Sequence, residues 1–220
     1  MTGATDLLVW ALGPGLALAL AICTFGIVLR LFEIFSLGRK TDLAVPRKRI
    51  AGAGWRTILR RSLPPPGMFR RSAVTYVGGY VFHLGLLVIV VFCAPHIAIV
   101  EDLFGVSWPG LSTKLVDAVA AASILALLML LASRISNPVK RFLSDVQDYL
   151  VWTLTLAPLL TGYLAFHRLW LDYTTMLALH VLSAELLLVA FPFTKLFHGV
   201  SLFFSRWYNG DVFGRKGVAS

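Results

Sequence analysis

Residues 74–99 read VTYVGGYVFHLGLLVIVVFCAPHIAI, twenty-six positions with no Asp, Glu, Lys or Arg. A bilayer's hydrocarbon core takes about 20 apolar residues in helical form to cross. Inside it each backbone amide must be satisfied within its own segment, so an apolar run of this length is a helix. The stretch therefore predicts a membrane span, with two histidines, His83 and His96, on it.

Four more apolar blocks flank this one, at about 7–33, 113–133, 145–166 and 173–204. The chain is 58% hydrophobic and 14% charged, against about 25% charged in soluble domains. The expected fold class is an all-α integral membrane protein: one membrane domain over 1–220, built as a bundle of five transmembrane helices. Met1 to Asp6 holds no basic residue and the first block is longer than a signal-peptide core, so it reads as a retained span.

The formal net charge of +9 is unevenly placed. The 39–71 segment carries Arg39, Lys40, Arg47, Lys48, Arg49, Arg56, Arg60, Arg61, Arg70 and Arg71. Arg134, Lys140 and Arg141 lie between blocks three and four, and Arg206, Arg215 and Lys216 in the 205–220 tail. The alternate loops hold only Lys114 and Arg168, beside Glu101, Asp102 and Asp172. By the positive-inside rule the N-terminus is outside and the C-terminus cytoplasmic. The basic 39–71 loop, rich in Pro and Gly, satisfies that rule and equally suits a docking surface for a cytoplasmic partner. No base-stacking or groove-reading motif accompanies the charge, which argues against nucleic acid. Trp55, Trp108, Trp170 and Trp207 suit interfacial belts. Gly78, Gly79 and Gly85 suit close helix packing.

Two cysteines, Cys23 and Cys93, have no metal-ligand spacing, and an iron–sulfur cluster held by this chain alone is excluded. The histidines carry more information. His83 and His198 fall near the cytoplasmic side, and His96 and His180 toward the outer side. On one ideal helix, His180 and His198 share a face about 27 Å apart. Neutral imidazole is a common axial ligand of haem iron, and helical bundles build such sites from facing helices. The inner pair His83–His198 fits this reading well. The outer pair fits less well, because thirteen residues put His96 about 140° from the face of His83 on a regular helix. Pro95 distorts the helix locally, and Pro192 does so between His180 and His198. His167, beside Arg168, is a second outer candidate.

The motifs Phe82-His83-Leu84-Gly85, His180-Val181-Leu182 and Phe191-Pro192-Phe193-Thr194-Lys195-Leu196-Phe197-His198, with the eighteen-residue interval between the last two histidines, resemble the respiratory nitrate reductase gamma-subunit family. These are membrane cytochromes b, including subunits serving other iron–sulfur oxidoreductase complexes. The resemblance covers roughly 74–204. It implies two b haems: an inner one on His83 and His198, and an outer one with His180 as one ligand. The family's other outer histidine falls where this chain has Cys93, which leaves a shifted ligand at His96, a Cys93 thiolate, or a missing haem. His96 is favoured, since a thiol in lipid is more plausibly a packing residue. The resemblance also implies a quinone site near the outer haem, where Lys114 occupies the segment of the family's basic residue; an interfacial snorkelling lysine suits the position equally.

The expected function is therefore electron transfer between a membrane quinone or quinol and a cytoplasmic iron–sulfur partner, in a bacterial cytoplasmic (inner) membrane. The alternatives are a mono-haem membrane anchor and a small proton-coupled transporter without haem. Glu185, mid-membrane on the fifth block, either bonds across helices while protonated or belongs to a proton path.

Overall fold

The computed structural model describes residues 3–38, 45–47, 50–65 and 67–218. Arg39, Lys40, Lys48, Arg49 and Pro66 of the basic segment lie outside the described residues. Among those described, the chain is all-helical. Five helices are long and apolar enough to cross a membrane: Gly3–Ser36, Ala73–Phe92, Thr113–Ser136, Val146–His167 and Tyr173–Phe193.

The elements differ from the five expected blocks in informative ways. The first span comprises α1 (Gly3–Trp10), a π-helical turn over Ala11–Gly15 that contains Pro14, and α2 (Leu16–Ser36). α3 (Ala53–Arg61) and the one-turn α4 (Met68–Arg71) lie in the basic segment. The second block is two helices, α5 (Ala73–Phe92) and α6 (Ala94–Phe104), broken at Cys93. α7 (Thr113–Ser136) and the short α8 (Pro138–Phe142) precede α9 (Val146–His167). The fifth block is not one helix either. α10 (Tyr173–Ala190) gives way to 3-10 turns at Phe191–Phe193 and Lys195–Phe197, and α11 (His198–Arg215) runs well into the tail.

The chain forms two compact units, 1–20 with 72–188 and 21–71 with 189–220. In the first, α5 packs along α7 because glycines remove the intervening side chains. A Cβ on Gly85 would strike Ser123 Oγ, and one on Gly78 would lie 2.9 Å from Met129. Gly79 instead faces open space, so of the three expected packing glycines only two serve the contact. Phe82, Ile89, Val116, Ala126, Leu127 and Leu159 form the buried core around this seam. Trp152 ties α9 to α7 by donating from Nε1 to the Leu127 carbonyl at 3.0 Å.

Helix ends follow their capping residues. Asp145 and Asp148 form a reciprocal capping box that starts α9. Asp172 accepts from the Thr175 amide at 3.0 Å and its hydroxyl at 2.7 Å where α10 begins. The amide, then the hydroxyl, hold the Asp172 carboxyl below the usual carboxylate range.

In the second unit, α3 packs on α11 through a small-residue seam. Gly210 and Gly214 admit Thr57 and Ala53, and Gly54 admits the Trp207 ring. Thr57 is fully buried and returns its hydroxyl to the Ala53 carbonyl at 2.9 Å. Part of the basic segment is thus an ordered helix held by the tail.

Gly85→Val should destabilise the protein by about 1–3 kcal/mol, the usual cost of overpacking a close contact. Gly79→Val should be nearly silent beside it. Thermal unfolding in one detergent measures both; equal losses would contradict the α5–α7 seam.

Candidate functional site

The break at Cys93 positions the site. Pro95 has no N–H, so the Val91 carbonyl loses its helical donor. The Trp108 indole Nε1 donates to it instead, at 2.8 Å. The His96 amide turns to the Cys93 carbonyl at 3.0 Å, and the Phe92 carbonyl accepts from the Leu111 amide at 3.1 Å. Cys93 itself is extended, with φ −75° and ψ 124°. The loop after α6 therefore folds back onto the break and satisfies the groups it exposes.

The break also re-aims His96. Its ring Nδ1 reaches back seven residues to the Ile89 carbonyl at 3.0 Å, which no regular helix allows. On α10, His180 Nδ1 meets the Pro158 carbonyl of α9 at 2.9 Å. The two rings lie 6.1 Å apart between centres, with their planes 18° from parallel. A Cβ on Gly162 of α9 would lie 2.9 Å from the His180 ring, so that glycine makes room for the imidazole. Both rings are half-buried.

A carbonyl oxygen only accepts, so each Nδ1 must carry the proton and donate it. That fixes the tautomer and leaves the lone pair on Nε2. Nε2 of neither ring has a hydrogen-bond partner among the described residues. Two imidazoles, each oriented by a backbone carbonyl, thus stand with ring centres 6.1 Å apart. The structure brings together the pair that helical arithmetic disfavoured, because that arithmetic carried α5 unbroken through Cys93. The thiol is half-buried against the core cluster around Phe82 and Ile89.

The other candidate residues lie as follows. His83 is exposed on α5, with Nδ1 donating to the Gly79 carbonyl one turn back at 2.7 Å. His198 begins α11, with Nδ1 donating to the Lys195 carbonyl at 2.7 Å. His83 belongs to the first compact unit and His198 to the second. The ideal-helix spacing between His180 and His198 does not apply, since the 191–197 turns interrupt the helix. Lys114 is exposed in the first turn of α7, just past Ser112 and the loop that caps the Cys93 break. His167 is engaged elsewhere: its Nε2 meets Asp117 Oδ1 of α7 at 2.8 Å, under the Tyr163 ring.

Several supporting groups carried no signal in the sequence. The Ile89 and Pro158 carbonyls are backbone atoms, invisible to residue type. Trp108 reads as one interfacial tryptophan among several until its partner is seen. In the second unit Arg30 donates from Nε to the Pro192 carbonyl at 3.2 Å, capping the break of the fifth span.

Among the described residues no group of three or more His, Cys, Asp or Glu side chains is arranged to hold a metal ion. A protein of Nitratidesulfovibrio vulgaris, described only as "Protein", is 35% identical over 149 residues, covering 67% of this chain. The chain matches 65% of that relative's length, just under two thirds. No family model matches the chain, and no solved structure matches it.

Trp108→Phe should cost about 1–3 kcal/mol, the penalty of a buried carbonyl left without a donor. Adding Pro95→Ala should recover part of that loss, because the restored amide at position 95 can bond the Val91 carbonyl. Thermal unfolding of the two single variants and the double variant measures the coupling; simple additivity would contradict it.

Proposed function

We propose that this chain is a di-haem cytochrome b membrane subunit. It transfers electrons between a quinone or quinol pool and a cytoplasmic iron–sulfur partner in a bacterial cytoplasmic membrane, with its N-terminus outside. The observation that carries this reading is the His96–His180 pair. A haem iron held here would take one imidazole nitrogen from each of the two residues. The observed separation of the ring centres is 6.1 Å. The donor chemistry agrees: both imidazoles hold Nδ1–H against a backbone carbonyl, as ligating histidines commonly do.

His96 and His180 would hold the outer haem, and His83 and His198 the inner one. When bound, the haems supply reversible one-electron chemistry in a medium that otherwise blocks charge. The chain's own residues do the rest. The carbonyls of Ile89 and Pro158 orient the outer imidazoles and raise their basicity. Lys114 Nζ offers a cationic donor to a quinone carbonyl and stabilises the negative charge that develops there. Quinol oxidation on that side releases two protons outside as two electrons leave. The α3 helix, with Arg56, Arg60 and Arg61 on it, and the tail offer a basic surface to the partner.

A haem-free, proton-coupled transporter is the second reading, favoured by the interrupted fifth span and by Glu185. One spectrum separates the two. Purified protein from haem-supplied cells should show a b-type reduced-minus-oxidised signal and about two haems per chain by pyridine haemochrome. His96→Ala or His180→Ala should each leave one haem, and His83→Ala or His198→Ala should remove the other. Absence of a b-type signal would overturn the proposal, and a wild-type count of one would leave the mono-haem anchor. Lys114→Ala should keep both haems and slow quinol oxidation about tenfold or more, the scale of one lost hydrogen bond to a charged group.

A further inference from the structure

The fifth span contains a second chemical feature that the haem reading does not use. Glu185 sits on α10 with seven per cent of its surface exposed. Its Oε1 is buried and has no hydrogen-bond partner among the described residues. Buried polar atoms in native proteins are almost always partnered, so each exception needs a reason. An ionised carboxylate without a partner in hydrocarbon is costlier still.

The carboxyl is aimed at the first span. A Cβ on Gly15 would lie 2.9 Å from Glu185 Oε1, 3.1 Å from Oε2 and 2.9 Å from the Trp10 ring. Gly15 closes the π-helical turn Ala11–Gly15, whose Pro14 supplies no amide proton. Such turns occur often at functional sites. The turn widens the first span where the carboxyl arrives, and the glycine leaves the space it occupies.

No charge compensates Glu185 from the elements around it. On α10 its neighbours one turn away are Val181, Leu182, Leu188 and Val189. His180 stands five residues back, about 7.5 Å along the axis and on another face. α9, which meets α10 through the Thr161–Ser183 hydroxyl pair at 3.1 Å, carries no acid or base from Val151 to Gly162. On the first span the nearest charged residue is Asp6, nine residues before Gly15, about 13.5 Å along the axis, and the Cys23 thiol stands eight residues after Gly15. A single carboxyl without companion ligands suits a proton better than a metal cation.

We propose that Glu185 is a proton-binding site inside the membrane. Its carboxyl is neutral at rest and holds its proton in the cradle that Gly15 and Trp10 form. The proposal rests on the buried, unpartnered Oε1 and its contact with Gly15, and stands whether or not haem binds.

Infrared spectroscopy of the full chain in lipid nanodiscs tests it directly. At a pH where aqueous carboxylates are fully ionised, wild-type protein should show the carbonyl band of a protonated carboxyl, shifted in D2O. Glu185→Gln should abolish that band, and Gly15→Ala should shift it by crowding Oε1. Superimposable wild-type and Glu185→Gln spectra would overturn the proposal, as would a band that sodium ions remove. Should Glu185→Gln fail to fold, carbodiimide labelling of wild-type protein with peptide mass spectrometry replaces it, since the reagent attacks protonated carboxyls in lipid. Labelling at Glu185 about tenfold above that at Glu101 and Asp102 supports the site; equal labelling refutes it.

Discussion

In hydrocarbon, a backbone carbonyl that loses its helical amide has no water to turn to, so some other group of the protein must meet it. Much of this structure's local detail follows from that constraint. The helix break at Cys93 exposes the Val91 and Phe92 carbonyls, and the Trp108 indole and Leu111 amide meet them. The break in the fifth span exposes the Pro192 carbonyl, and Arg30 meets it. Two further carbonyls, at Ile89 and Pro158, accept from the imidazoles of His96 and His180. The Ile89 carbonyl keeps its helical donor, the Cys93 amide at 3.1 Å, and takes the imidazole as a second one. A chain with unbroken helices would not bring His96 beside His180.

The five spans were legible because length and apolarity alone decide them; no packing detail enters. The histidines were legible as candidates because ionisable residues in lipid are costly. What could not be read was where a helix stops being regular. Pro95 and Pro192 announced disturbance, but not its outcome. Treating 74–99 as one helix placed His96 about 140° from the face of His83, and the extended backbone of Cys93 makes that angle irrelevant. Treating 173–204 as one helix joined His180 to His198 by eighteen regular residues. Thr194, extended at φ −125° and ψ −179°, instead caps a new turn by accepting the Leu196 amide at 3.3 Å.

The α3–α11 pairing was hidden for a different reason. Its signal is small residues four apart, Ala53 with Thr57 and Gly210 with Gly214, a spacing that lets helices approach closely. The signal lies in the basic segment and the tail, where charge dominated the reading. One face of α3 is locked to the tail helix, while Trp55 and Leu59 stay exposed among its arginines. A docking role for this region therefore concerns an ordered helical surface rather than a loose basic loop.

The central claim is that His96 and His180 together hold one haem iron. Electron paramagnetic resonance of the ferric protein tests it most directly, because the low-spin signal reports both axial nitrogens and the angle between their rings. Planes 18° apart predict a rhombic bis-imidazole signal that disappears in His96→Ala and equally in His180→Ala. Survival of that rhombic signal, over and above the inner haem's own, in either His96→Ala or His180→Ala would contradict the claim.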